Sequence, residues 1–189
     1  MYNCNENGNG NENGMEDNET QIDAQNDYAD TDNEDAGENR TSVLRGVSLR
    51  AVDGYNWKAC VDMSVTSDQE AFVAENWYSL LQWKFSDDMH PYCVYADDVM
   101  VGFVMYGLNP ETHRWFLMRL MIDAKQQGKG YGKRTLLQIL GLVREHLGNI
   151  PFYVCVEEDN ERALGVYESV GFEKTGEVLW EELVLRIVL

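Results

Sequence analysis

A glycine-rich turn between two apolar segments sets a strong limit on how this 189-residue chain can fold. Before the turn, Trp115–Ile122 is mostly apolar and long enough for a largely buried strand. After it, apolar residues recur at helical spacing: Leu136, Leu140, Val143 and Leu147. The turn Gln127–Lys133 therefore lies where a strand gives way to a helix. The free backbone N–H groups at such a helix start make an anion-binding site.

The charge pattern of this region also points to an anion. The chain has a formal net charge of −18, yet residues 124–144 contain no Asp or Glu. Basic residues at a helix N-terminus oppose the helix dipole, so helix stability does not account for Lys129 and Lys133. A bound polyanion accounts for them. The alternative is a solvated loop that carries ordinary surface lysines.

The glycine spacing narrows the class of phosphate site. A Walker loop needs Gly-x4-Gly-Lys-Ser/Thr, and a dinucleotide turn needs Gly-x-Gly-x-x-Gly with an acidic residue about 20 positions later. The order here, Gly128-x-Gly130-x-Gly132, fits neither. With Gln127 it fits Gln/Arg-x-x-Gly-x-Gly/Ala. In this it resembles the pyrophosphate loop of the GNAT superfamily of acyl-CoA N-acyltransferases.

Other segments extend this resemblance over roughly residues 48–189. Val101–Gly107 and Arg119–Asp123 look like the third and fourth strands of the superfamily. Asn160-x-x-Ala163-x-x-x-Tyr167, followed by Gly171-Phe172, matches its C-terminal half-motif. The most similar branch is the bacterial spermine/spermidine (diamine) acetyltransferases, on the residues Phe72–Ala74, Tyr95–Asp98 and Phe103–Gly107.

The resemblance implies an α/β (α+β) fold in one GNAT-like domain. Its central sheet would be mixed, mostly antiparallel, with about six to seven strands, splayed in the middle and covered by helices on both faces. The residue patterns predict strands at 47–52, 91–96, 99–108, 115–122, 151–156, 172–176 and 182–189. They predict helices at 57–63 and 69–83, after the glycine turn, and after Asp159 or Asn160.

Composition divides the chain into two parts. Residues 1–45 are rich in Asn, Asp, Glu and Gly and hold twelve acids against two arginines, which leaves −8 for residues 46–189. The first part has too few apolar side chains to offset the entropy of ordering. We therefore predict a disordered acidic tail at 1–45 and one acetyltransferase domain at 46–189. The tail would attract polycations or serve only as a solubilising extension.

Several class-level expectations follow from what the sequence lacks. No stretch reaches the roughly 18 apolar residues of a membrane span, and no signal-peptide layout begins the chain. The cysteines form no Cys-x-x-Cys pair; Cys155 fits a core thiol better than a nucleophile because no His partner is evident. We expect a cytoplasmic protein with no metal, no membrane partner and, given its acidity, no nucleic acid partner. A homodimer is implied only by the resemblance.

The resemblance assigns acetyl-CoA as the co-substrate. Its pantetheine arm would pair with the exposed backbone of Leu120 and Ile122 as if it were another strand. Asn160 would hydrogen-bond this arm, or only cap a helix, or do both. The phosphates would lie against the N–H groups of Gln127, Gly128, Lys129, Gly130, Tyr131, Gly132 and Lys133, with the two lysines adding charge.

The resemblance also assigns a proton donor but leaves the base open. Tyr167 matches the family's tyrosine that protonates the departing thiolate, although its place on a packed helix face also fits a core residue. Related polyamine enzymes often carry a carboxylate near the position of Met118, and methionine cannot take a proton. Glu75 or Glu157 acting through water, or an amine that enters neutral, are the alternatives.

The predicted function is an acetyl-CoA-dependent N-acetyltransferase. It would acetylate a primary amine of a small cationic acceptor, such as spermidine or spermine, by direct attack in a ternary complex. Glu75 and Trp77 are candidate acceptor-binding residues, because carboxylates and aromatic faces attract ammonium groups. The alternatives are another small amine or a protein α-amine as acceptor, a non-catalytic acyl-CoA-binding module, or an interaction protein organised by its tail.

Overall fold

The computed structural model describes residues 46–189, so the predicted acidic tail at 1–45 lies outside the described residues. Seven strands form one sheet in the order β1-β2-β3-β4-β5-β7-β6. The strands are β1 (Val47–Ala51), β2 (Met89–Ala96), β3 (Val99–Asn109), β4 (Arg114–Ile122), β5 (Pro151–Val156), β6 (Glu173–Leu179) and β7 (Glu182–Val188). All neighbours pair antiparallel except β4 and β5, which are parallel. The predicted mixed, mostly antiparallel sheet is confirmed.

Helices cover both faces of the sheet, as predicted. They are α1 (Trp57–Val61), α2 (Asn76–Lys84), α3 (Tyr131–Leu147) and α4 (Glu161–Glu168). On one face, α3 and α4 pack into a core that includes Leu136, Ile139 and Phe152. On the other, α1 and α2 cover a second core that includes Cys60 and Phe103. Within residues 46–189, no helix combines the length and apolar character needed to cross a bilayer.

Strand β4 carries a bulge at Met118. Two consecutive residues of β3, Met105 and Tyr106, pair with Arg119 and Leu117, so Met118 is the extra residue on β4. A bulge of this kind bends its strand and increases the local twist. Beyond it, β4 no longer follows β5.

The pairing of β4 with β5 stops at the bulge. Only Trp115–Leu117 pairs with β5, through Phe152–Val154. β4 continues to Ile122 and β5 to Val156 without further pairing between them. The sheet is therefore splayed in the middle, as expected.

The helix predicted at 69–83 is wrong in its first half, because α2 begins only at Asn76. Glu75 before it is extended, with ψ of 145°. Asn76 is 3% exposed, and its side-chain Nδ2 donates to the Cys60 carbonyl at 2.8 Å, which ties the start of α2 to α1. This long-range contact fixes where α2 begins, and apolar periodicity does not report it.

Replacing Asn76 with alanine removes the shortest donor to the buried Cys60 carbonyl, which keeps backbone donors such as the Met63 N–H at 3.4 Å. We expect the free energy of unfolding in urea to fall by roughly 1 kcal/mol, the contribution of one hydrogen bond. Asn149→Ala, at an exposed position after α3, is the matched control and should change stability by less than about 0.5 kcal/mol. Equal losses for the two variants would show that the Asn76 contact does not stabilise the fold.

Candidate active site

The divergence of β4 from β5 opens a cleft of about 640 Å³. The edge of β4 that faces β5 has no strand partner from Met118 to Ile122, and this edge lines the cleft. Unpaired backbone N–H and C=O groups of a strand can bind an extended chain as an added strand. Leu120 and Ile122, predicted to offer such backbone groups, both lie in this segment.

The glycine turn forms part of the wall of the cleft. Gly128 and Gly130 have φ of +79° and +76°, which glycine adopts at little steric cost, and Gly130 is the N-cap of α3. Gly132 lies within the first turn of α3. A Cβ added there would meet only Ile122 Cγ1 at 3.9 Å, an ordinary contact. Glycine within a helix destabilises the fold by roughly 0.5–1 kcal/mol relative to alanine. Packing does not require glycine at position 132, so close approach of a ligand to this backbone explains it better.

The first turn of α3 presents donors to the cleft. The N–H groups of Tyr131, Gly132 and Lys133 have no acceptor within the helix, and all three residues line the cleft. The Lys129 ammonium donates to Gln126 Oε1 at 2.8 Å, and the Lys133 ammonium donates to the Ser169 carbonyl at 3.3 Å. In the part of the chain that is described, neither lysine pairs with a carboxylate. Both charges therefore remain available to an anion.

The side chain of Gln127 holds the turn in place. Its Nε2 donates to the Ile122 carbonyl at 3.0 Å and to Gln69 Oε1 at 2.8 Å. Its Oε1 accepts from Arg162 Nη1 at 2.9 Å. Gln127 thus connects the end of β4, the 3₁₀ turn at Ser67–Gln69 and α4. Sequence reasoning missed Arg162, because nothing in its local pattern distinguishes it from a surface arginine.

Helix α4 contributes two of the predicted residues. Asn160 is its N-cap, and the Oδ1 atom accepts from the Ala163 N–H at 3.1 Å, so the capping role is present. Tyr167 is 8% exposed and belongs to the core, yet it also lines the cleft. Burial, and then the nearby Glu182 carboxylate, raise the pKa of its phenol above the ordinary value. The hydroxyl therefore stays protonated at neutral pH and can donate.

Several polar side chains lie on the opposite face of the sheet, the face covered by α1 and α2. Val156 and Leu183 pair and pack with the α3–α4 core. Because side chains alternate along a strand, Glu157 and Glu182, the next residues outward, lie on the other face. Both line the cleft, as does Arg119 from β4. Sequence reasoning named Glu157 but missed Glu182 and Arg119, since only strand pairing brings them together.

The Arg119 guanidinium has neutral partners. It donates to Ser79 Oγ at 3.2 Å, to Gln82 Oε1 at 3.4 Å and to the Met118 carbonyl at 2.5 Å. Among residues 46–189, no carboxylate lies within ion-pair distance of it. Burial lowers its pKa, while Tyr78 and Glu182 raise it, so its charge acts on Glu182 without a direct pair.

The two candidate acceptor residues lie outside the wall of this cleft. The Trp77 indole N–H donates to the Glu75 carboxylate, and the Trp77 side chain is 48% exposed. Neither residue lines the cleft, although the neighbouring Ala74 does. Their assignment stays a prediction. Across residues 46–189, no group of His, Cys, Asp and Glu side chains is arranged to hold a metal ion.

The family is shown by comparison with known proteins. The model of the acetyltransferase (GNAT) family matches residues 57–172. The chain belongs to this family. The prediction of an N-acetyltransferase enzyme is thereby confirmed at the level of the family.

Individual relatives agree with this placement. Spermine/spermidine N(1)-acetyltransferase of Bacillus subtilis is 30% identical over 138 residues, which cover 70% of this chain and 91% of that protein. N-alpha-acetyltransferase RimI of Mycobacterium tuberculosis is 40% identical over 55 residues, or 29% of this chain and 32% of that protein. The spermidine N-acetyltransferase of Vibrio cholerae, solved with CoA and spermine, superposes with a TM-score of 0.60 at 18% identity, over 75% of this chain and 95% of that one.

Cys155 also lines the cleft, and its protonation state can be tested directly. Burial, with the Glu182 and Glu177 carboxylates, raises the pKa of the Cys155 thiol to about 12. Only thiolate reacts with iodoacetamide, so Cys155 should be alkylated at pH 7.5 at least about a hundredfold more slowly than free glutathione. Peptide mass mapping measures the rate, and urea-unfolded protein is the control. Labelling as fast as glutathione would contradict the prediction and reopen Cys155 as a nucleophile.

Proposed function

We propose that this protein is an acetyl-CoA-dependent N-acetyltransferase for a primary amine of a small cationic acceptor, with polyamines such as spermidine and spermine as the leading substrates. Transfer would be a direct attack in a ternary complex. The observation that carries the proposal is the cleft between β4 and β5, which is lined both by a basic glycine turn and by carboxylates.

The glycine turn and the unpaired edge of β4 suit acetyl-CoA. The glycine turn offers backbone N–H groups, the charge of Lys133 and space at Gly132, all of which suit a pyrophosphate. Lys129 belongs to the same turn but does not line the cleft, so its part in binding stays a prediction. The unpaired edge of β4 at Leu120 and Ile122 suits the amide groups of the pantetheine arm. Asn160 uses its Oδ1 atom as a cap, so it would donate to this arm through its amide nitrogen.

The acidic part of the cleft suits a cationic acceptor. A second hollow of about 480 Å³ adjoins it and is lined by what we call the acidic mouth: Glu157, Glu158, Asp159, Trp180, Glu181 and Glu182. Three of these, Glu157, Trp180 and Glu182, also line the cleft. Carboxylates and an aromatic face attract an ammonium chain. The substrate named for the Bacillus subtilis relative favours the same class of acceptor.

Tyr167 supplies the proton that acyl transfer requires. Acetyl-CoA brings the thioester whose acetyl group is transferred. Tyr167 lines the same cleft as the glycine turn and Glu182, and burial holds its phenol in the protonated form. It would donate this proton to the sulfur as the C–S bond breaks.

The glycine turn gives a prediction about affinity. Gly132→Val places a branched side chain where the pyrophosphate would lie, and we expect acetyl-CoA affinity, measured by calorimetry, to fall at least about thirtyfold. Gly141→Val on the exposed side of the same helix, where a Cβ meets nothing within 4 Å, is the matched control and should bind as the unaltered protein does. Unchanged affinity of Gly132→Val for acetyl-CoA would show that the glycine turn is not part of the binding site.

Tyr167→Phe separates catalysis from packing. Phenylalanine keeps the ring that packs against Phe172, with ring centroids 5.8 Å apart, but lacks the proton. We expect kcat to fall about 10²-fold or more, with acetyl-CoA affinity and thermal stability little changed. A variant that loses stability but retains kcat after correction for folded protein would assign Tyr167 to the core alone.

The function itself is tested with purified protein, acetyl-CoA and a panel of amines, while release of free thiol is followed. The panel holds spermidine, spermine, a monoamine, an aminoglycoside and a peptide with a free α-amine, the last because of the local match to N-alpha-acetyltransferase RimI. We expect the highest kcat/KM for a polyamine. Turnover of the peptide alone would show that the acceptor is a protein α-amine and not a polyamine. Binding of acetyl-CoA with no turnover of any amine would show that the protein is a non-catalytic acyl-CoA-binding module.

A further inference from the structure

Glu182 occupies a position in the cleft that the reaction can use. It is the first residue of β7, directly after the two-residue turn Trp180–Glu181, and both turn residues have positive φ, 52° and 70°. Left-handed backbone at two such residues is typical of the tight turns that join antiparallel strands. Trp180 packs edge-on against Phe116 of β4, with ring centroids 6.2 Å apart. The hairpin is thus held against β4, and Glu182 faces the gap.

The titratable groups around Glu182 come from three elements and the segment after one of them. They are Arg119 on β4, Cys155 on β5, Tyr167 on α4 and Glu157 after β5. Burial and the Glu157 carboxylate raise the pKa of Glu182 above the usual glutamate value, while Arg119 lowers it. Glu182 is half-buried, yet it also lines the acidic mouth and so has a route to solvent. A carboxylate in this setting can take up a proton and release it.

We infer that Glu182 is the general base of the acetyl transfer, and that Arg119 is a positioning residue that favours its ionised form. This inference rests on the proposed function and adds the proton acceptor that Met118 cannot supply. Acid and base then approach the gap between β4 and β5 from opposite faces of the sheet. Tyr167 comes from the α3–α4 face and Glu182 from the α1–α2 face.

The protons balance as follows. The Glu182 carboxylate takes one proton from the ammonium of the acceptor and passes it to solvent through the acidic mouth. The neutral nitrogen forms the C–N bond with the acetyl carbon, and the C–S bond breaks as Tyr167 protonates the sulfur. The second proton that leaves the nitrogen returns to Tyr167 through solvent. The net reaction releases one proton and forms an amide and a thiol.

The other carboxylates fit this role less well. Glu75 accepts from the Trp77 indole and lies outside the wall of the cleft. Glu157 lines the cleft, but Glu182 is the carboxylate whose charge acts on both Tyr167 and Arg119. Glu182 is also held next to β4 by the contact of Trp180 with Phe116, whereas Glu157 follows the end of β5. Glu157→Gln is included in the test for this reason.

The test compares Glu182→Gln with the unaltered protein on two acceptors, spermidine and a fluorinated alkylamine that is already neutral at the assay pH. With spermidine we expect kcat to fall about 10²-fold or more and KM to change less than about threefold. The acid limb of the kcat/KM profile that titrates with Glu182 should be lost, and activity should instead rise with pH towards the pKa of the spermidine amine. With the neutral amine kcat should fall less than about threefold. Glu173→Gln, exposed on β6, is the control.

Two measurements keep a folding defect apart from a chemical one. Acetyl-CoA affinity by calorimetry and the thermal midpoint should match the unaltered protein. Glu182→Asp, which keeps a carboxylate, should retain the acid limb at a reduced kcat.

Equal losses of kcat on both amines would mean that Glu182 has a structural role, and a rise in KM alone would mean that it binds the cation. Either result overturns the inference. A kcat loss in Glu157→Gln but not in Glu182→Gln would move the base to Glu157, while absence of turnover in the unaltered protein would refute the proposed function itself.

Discussion

The bulge at Met118 determines where the sheet opens. One extra residue on β4 ends its pairing with β5 at Leu117 and Val154. Backbone N–H and C=O groups buried without partners cost about 1–3 kcal/mol each, so the free edge of β4 must meet water or a ligand with matching polar groups. Beyond the bulge, β4 and β5 form no hydrogen bonds with each other, and the unpaired backbone of β4 becomes a binding surface.

The opening of the sheet also explains how charge is distributed in a strongly acidic protein. A closed sheet would separate the α3–α4 face from the α1–α2 face, whereas the gap lets groups from both faces reach one point. The basic turn before α3 lines the cleft, and the acidic mouth shares Glu157, Trp180 and Glu182 with it. An acceptor cation and a cofactor anion would each meet opposite charge and would be kept from the other's site by like charge.

Much of this could be predicted from the sequence because its determinants are local. The glycine turn, the apolar stripe of α3 and the cap at Asn160 each lie within a few residues, and the structure shows them in the expected places. The start of α2 could not be predicted, since the Asn76–Cys60 bond joins positions 16 apart. Spacing in the sequence could not predict three residues of the cleft either, because strand order and helix packing bring them there: Arg162, Glu182 and Arg119.

The partly buried charge of Arg119 has a cost that its hydrogen bonds do not fully offset. A guanidinium taken out of water is stabilised by nearby negative charge, and its three acceptors here are neutral. Glu182 supplies that charge across the gap without direct contact. A contact ion pair would hold Glu182 firmly ionised and make it a poor proton acceptor, whereas separation lets Arg119 favour ionisation without removing basicity. The missing ion pair is therefore what a working base at this position requires.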